Sequence, residues 1–138
     1  IKEHILPQYQ RVIDLVHNSG KKFLLHSCGK IFPLMEDIIN LGIDAKHSNE
    51  DQIAPFSVWI EKYSDRIGLF GGFDLNLLVL EKPEIVYRTV LEQGAIYRGA
   101  AKGYGLGSGN SIPGYIPVDG FLAMIEAVKE IRRKESAK

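Results

Sequence analysis

Four short apolar runs alternate with helix-length apolar stripes along this chain, and that alternation restricts the fold more than any other feature. The runs are Lys22-Phe23-Leu24-Leu25-His26, Ile43-Asp44-Ala45-Lys46-His47, Ile67-Gly68-Leu69-Phe70 and Tyr104-Gly105-Leu106-Gly107. The first is apolar on both faces, as a buried parallel strand requires. Before it, Ile5, Tyr9, Val12, Ile13 and Val16 recur at helical spacing up to Asn18-Ser19-Gly20, which suits a left-handed C-terminal cap. Ile31, Leu34, Met35, Ile38 and Ile39 form a second helical stripe ended by Gly42, and Pro55 to Tyr63 a third. Gly71-Gly72 is expected to stop the third strand. Lys82-Pro83-Glu84 opens a long helix running to Gly103, with Gly94 as a candidate bend, and Asp119 is a candidate cap for a closing helix from Phe121 to about Arg133. Helices of crossover length between strands favour a parallel sheet, so the class is α/β.

The chain has 138 residues, which bounds it to one domain over 1–138, and a complete (β/α)8 barrel normally takes about 250 residues. Four strands with helices can form a small doubly wound sheet or half of such a barrel. The start at Ile1 rather than Met, and a first helix with no strand before it, favour a fragment: a C-terminal half-barrel of four strand-helix units preceded by a helix. With 17 Lys+Arg against 17 Asp+Glu spread evenly, the chain carries no basic footprint for nucleic acid or an anionic membrane. No apolar run approaches the roughly 20 residues that span a bilayer, and the N-terminus is not organised as a signal peptide. A cytoplasmic protein is expected, with Cys28 free because no second cysteine exists to pair with it.

Each strand ends in reactive or small residues: His26-Ser27-Cys28-Gly29, His47-Ser48-Asn49-Glu50, Gly71-Gly72-Phe73-Asp74 and Ser108-Gly109-Asn110-Ser111. In parallel α/β folds the carboxyl edge carries the ligand, so one shared site is expected there. His26 and Cys28 stand two apart on an extended segment and share a face, and imidazole with thiolate suits Zn²⁺. The competing reading is a half-buried cysteine beside a hydrogen-bonded histidine. Glu50, Asp74 and His47 are candidates for a further ligand; Asp74 is equally suited to capping a helix, and His47 to being a polar wall residue. Glycines at 103, 105, 107 and 109 leave one face of the last strand bare, either for a flat ligand or anion, or for close packing of helix on strand. The segment is no dinucleotide fingerprint, because Asn110 stands where the third glycine belongs, and none of the serines sits in a nucleophile elbow.

Taken in order, FLLHSCG at Phe23 to Gly29, Gly71-Gly72-Phe73-Asp74 before the helix opened by Lys82-Pro83-Glu84, and Leu106 to Pro113 (LGSGNSIP) resemble the C-terminal half of the uroporphyrinogen decarboxylase superfamily. That superfamily includes zinc-dependent methyltransferases that work with methylcobamide. The resemblance covers nearly the whole chain and implies the last four strands of a (β/α)8 barrel. It implies zinc on His26 and Cys28; Ser108 or a neighbour stands where the methyltransferases have a further cysteine near the last strand, and Glu50 or Asp74 is the candidate third ligand. Ser108 and Asn110 would be catalytic wall residues, and Gly107 and Gly109 would admit a corrinoid co-substrate. The decarboxylases' Leu-Gly-His-Gly reads Leu106-Gly107-Ser108-Gly109 here, so methyl transfer to or from a small-molecule donor or acceptor, with a corrinoid protein as partner, fits better than decarboxylation. A tetrapyrrole lyase and a non-catalytic half-barrel that forms a homodimer remain the alternatives.

Overall fold

The computed structural model describes residues 2–49 and 53–137. In chain order the elements are α1 (Leu6–Asn18), β1 (Leu24–His26), a 3-10 turn (Phe32–Leu34) running into α2 (Met35–Asn40), β2 (Ala45–His47), α3 (Phe56–Tyr63), β3 (Gly68–Phe73), α4 (Leu75–Leu80), α5 (Pro83–Ala100), β4 (Tyr104–Ser108) and α6 (Val118–Ser136). The four strands are all parallel and lie in the order β1-β2-β3-β4. Every crossover therefore steps in the same direction, and the right-handed rule for such crossovers puts the connecting helices on one face. A doubly wound sheet would reverse direction, so the architecture is a partial α/β barrel. No described helix is long and apolar enough to cross a membrane.

The helix-covered face holds the core. Leu25 and Leu69 pack there with Ile13, Met35, Ile38, Phe56, Trp59 and Tyr63, and a second cluster joins Phe73, Leu78, Val86, Val90, Met124 and Ala127. The other face is open. Leu24 and Phe70 are 48% and 41% exposed there, so β1 is buried on one side only, against the expectation of burial on both.

Several sequence expectations change in detail. Gly20 ends α1 as expected, at φ 69°, with Gly20 N donating to His17 O and Lys21 N to Val16 O in the paired pattern of a left-handed helix end. Gly71 and Gly72 do not stop β3. They lie inside it at φ 118° and 112°, and the strand continues through them to Phe73. Gly94 does not bend α5, which is continuous; a Cβ there would stand 2.6 Å from Leu106 Cδ1 and 3.0 Å from Ile131 Cδ1, so the glycine serves close packing onto β4 and α6. Asp119 lies in the first turn of α6 rather than at its cap, and the short α4 between Asp74 and Lys82 had no periodic signal of its own.

Two side chains fix β1 against β2. At the start of the pair, Asp44 Oδ2 accepts from Phe23 N at 2.8 Å and meets His17 Nε2 at 2.7 Å, while Oδ1 pairs with Lys22 at 2.8 Å. Partial burial opposes ionisation of Asp44, but the hydrogen bonds from Lys22, the Phe23 amide and His17 outweigh it and hold the carboxyl far below the usual carboxylate range. At the far end Lys46 is fully buried on the helix side. Its Nζ donates to Ser48 O at 2.8 Å, Asn49 Oδ1 at 3.0 Å, His47 O at 3.2 Å and Ser27 O at 3.4 Å. The same ammonium lies 4.3 Å from the centroid of Trp59, which also stacks on the ring of Phe32 at 4.3 Å.

Removing the ammonium would strand several buried carbonyls. Lys46→Met is expected to cost about 3 kcal/mol in denaturant unfolding, against about 0.5 kcal/mol or less for the exposed Lys102→Met; equal midpoints for the two variants would contradict the role given to Lys46. Because the folded pKa of Asp44 is depressed, its contribution is complete above the unfolded carboxylate value of about 3.9 and disappears as pH falls toward the folded one. Asp44→Asn is therefore expected to be less stable than the parent by about 1 kcal/mol near neutral pH, with the two curves converging in acid. A constant gap across that range would count against the sign.

Candidate functional site

The register His26↔His47 puts two imidazoles at the carboxyl ends of neighbouring strands. Phe73↔Ser108 does the same for the ends of β3 and β4. His26 closes β1, and the loop that follows returns Cys28 to the same face, with Gly29 at φ 90° turning the chain away. His26 Nε2 and Cys28 Sγ are 3.5 Å apart, and both side chains are exposed on the open side. On its other side the His26 ring meets His47, Nδ1 to Nδ1 at 2.9 Å, with ring centroids 4.9 Å apart and planes tilted by 57°. His47 Nε2 in turn lies 3.1 Å from the carbonyl oxygen of Ser108.

The sulfur has two more polar neighbours. Ser48 Oγ donates to Cys28 Sγ at 3.2 Å, and Asn110 Nδ2 approaches it at 3.8 Å. Ser48 is fully buried and takes a left-handed backbone at φ 72°, which a non-glycine residue rarely adopts. Lys46 holds its carbonyl and the next side chain, Asn49. Asn49 is itself anchored, Nδ2 donating to Phe70 O at 2.7 Å and its amide to Gly109 O at 3.0 Å. The strained serine is thus held from behind, which is the usual circumstance in which such a conformation persists at a site.

Of the five candidate ligands, His26 and Cys28 come together, and His47 meets them through the His26 ring. Glu50 lies outside the described residues. Asp74 is the N-cap of α4, its Oδ1 accepting from Asn76 N at 2.7 Å. Among the described residues no three His, Cys, Asp or Glu side chains form a group suited to a metal. Asn110 joins the site through the sulfur. Ser108 joins it through its backbone, because its hydroxyl is turned onto Asn110 O at 2.6 Å. The two strand glycines part company: nothing lies within 4 Å of a Cβ built on Gly107, whereas on Gly109 it would stand 2.8 Å from Asn49 O. At Gly109, then, the close approach is made by the chain's own backbone, and at Gly105 by the ring of Phe70.

Sequence reasoning offered His47 as a further ligand or a polar wall residue, placed Ser48 at the site edge without a role, and gave Lys46 none. The polar run after β2 was the available signal for Ser48. Nothing in the pattern marks Lys46, a charged residue whose strand position faces the helices.

A model of the uroporphyrinogen decarboxylase family matches residues 1–131. No match was found among proteins of curated function. Among solved structures, a methyltransferase from Methanosarcina mazei superposes with a TM-score of 0.71 at 19% identity, over 95% of this chain and 36% of that one. The chain thus spans little more than a third of that structure's length, and the likeness is one of fold. Over nearly its whole length, the chain belongs to the uroporphyrinogen decarboxylase family.

Proposed function

We propose that His26 and Cys28 hold a zinc ion used in methyl transfer between a methylcorrinoid and a small thiol acceptor or methyl donor. The observation that carries this reading is the 3.5 Å between His26 Nε2 and Cys28 Sγ. Bonds of about 2.05 Å to nitrogen and about 2.3 Å to sulfur, meeting at a tetrahedral angle, put the two donor atoms about 3.6 Å apart. The separation of the pair is therefore the one that a shared ion requires. Ser48 Oγ and Asn110 Nδ2 present polar hydrogens to the sulfur, contacts that suit the electron-rich form in which sulfur binds a metal.

Zinc bound there would supply Lewis acidity, lowering the pKa of an acceptor thiol so that it is nucleophilic near neutral pH. The chain's own part is placement and access. His26 and Cys28 face the open side of the sheet, which leaves coordination positions for substrate and for a ligand from elsewhere. Gly107 keeps the neighbouring strand end free of side chains, and exposed Leu24 and Phe70 offer apolar contact to a flat macrocyclic co-substrate. The family match and the methyltransferase fold neighbour support the reading without deciding the reaction.

Metal content decides it most economically. Zinc-loaded and dialysed chain is expected to retain about one zinc per molecule, and His26→Ala and Cys28→Ser each to weaken binding by about a hundredfold or more. Retention unaffected by the double variant, or no retention by the parent, would sink the proposal.

A further inference from the structure

We infer that His47 is a positioning residue: it fixes the tautomer of His26 so that the bare nitrogen is the one facing Cys28. The inference follows from three consecutive contacts. The Ser108 carbonyl can only accept, so the nitrogen 3.1 Å from it, His47 Nε2, carries a hydrogen. A neutral His47 then has a lone pair on Nδ1. That atom stands 2.9 Å from His26 Nδ1, so the hydrogen between them belongs to His26. A neutral His26 with its hydrogen on Nδ1 has its lone pair on Nε2, the atom 3.5 Å from Cys28 Sγ. In a neutral histidine the proton's place is set by the hydrogen bond the other nitrogen makes, and here that bond is traceable through His47 to a backbone carbonyl on β4.

The surroundings keep the relay rigid. Ser108 is held in register with Phe73, and its hydroxyl is committed to Asn110 O. His47 reaches the Ser108 carbonyl past β3, where Gly71 lies; a Cβ at 71 would press to 3.1 Å from that same oxygen. The bare, left-handed Gly71 that the sequence offered as a strand stop instead keeps the carbonyl accessible. The tautomer stands whether or not zinc binds. Its consequence for metal affinity rests on the proposed function, in which it presents a ligating nitrogen and donates the opposite N–H, the arrangement usual around metal-bound histidines.

The test uses the metal-free chain labelled with ¹⁵N-histidine, with spectra recorded at rising pH until the ring signals no longer change. Long-range ¹H–¹⁵N correlation is expected to show His26 with a protonated Nδ1 and a bare Nε2. H47N keeps an acceptor near the Nδ1 position and is expected to preserve that pattern. H47L removes the acceptor and is expected to abolish it, with zinc affinity about 10- to 100-fold weaker while H47N binds like the parent. A parent His26 protonated on Nε2, or the same tautomer in H47L as in the parent, would overturn the inference. The parent spectrum and H47N carry the test if H47L fails to fold. A parent that shows the tautomer yet binds no zinc removes the proposed function and leaves the role of His47 standing; zinc binding with the wrong tautomer does the reverse.

Discussion

The register between β1 and β2 is the constraint on which the site depends. Side chains alternate along a strand, so a slip of one residue would turn His26 toward the helices and bring Leu25 to the open face. Two charged residues, one on each side of Ala45, prevent it from opposite ends of the pair. Asp44 accepts from the Phe23 amide while the amides of Asp44 and Ala45 both donate to the Phe23 carbonyl, which pins the start. Lys46 gathers oxygens from the segments that follow β1 and β2, which pins the finish. Three-residue strands have few ladder bonds of their own, and these polar clamps supply what the ladder lacks.

The same clamps link core to chemistry. Lys46 rests on Trp59, a fully buried member of the larger apolar cluster, and its ammonium reaches the backbone of Ser48, whose hydroxyl touches the Cys28 sulfur. Two side chains, Lys46 and Ser48, thus connect α3 to the sulfur. On the far side, the open face carries Leu24, His26, His47 and Phe70, flanked by glycines of β4. The sheet is polar at its carboxyl tips and apolar further down, and helices cover it on one side only.

Much of the fold was legible because helix and strand periods differ so clearly in this chain. The alternation of stripes and short runs gave the parallel class, and the glycines after α1 and α2 marked their ends, with Gly42 at φ 94° as with Gly20. What misled was treating glycine as punctuation. Gly71, Gly72 and Gly94 sit inside elements, where absence of a side chain permits contact, and sequence spacing cannot tell that from a stop or a bend. At the site, His26 and Cys28 were readable from the period of an extended segment. The parts played by His47 and Ser48 were not, because they depend on a carbonyl from β4 and on a strained backbone angle, both products of tertiary contact.

The central claim is that one imidazole and one thiolate, carried by the tip of β1, meet on the same ion. X-ray absorption at the zinc edge of the zinc-loaded chain tests it most directly. A sulfur scatterer at about 2.3 Å together with imidazole nitrogen at about 2.0 Å in one shell is the expected result. A shell of light atoms without sulfur, or sulfur without imidazole, would contradict it.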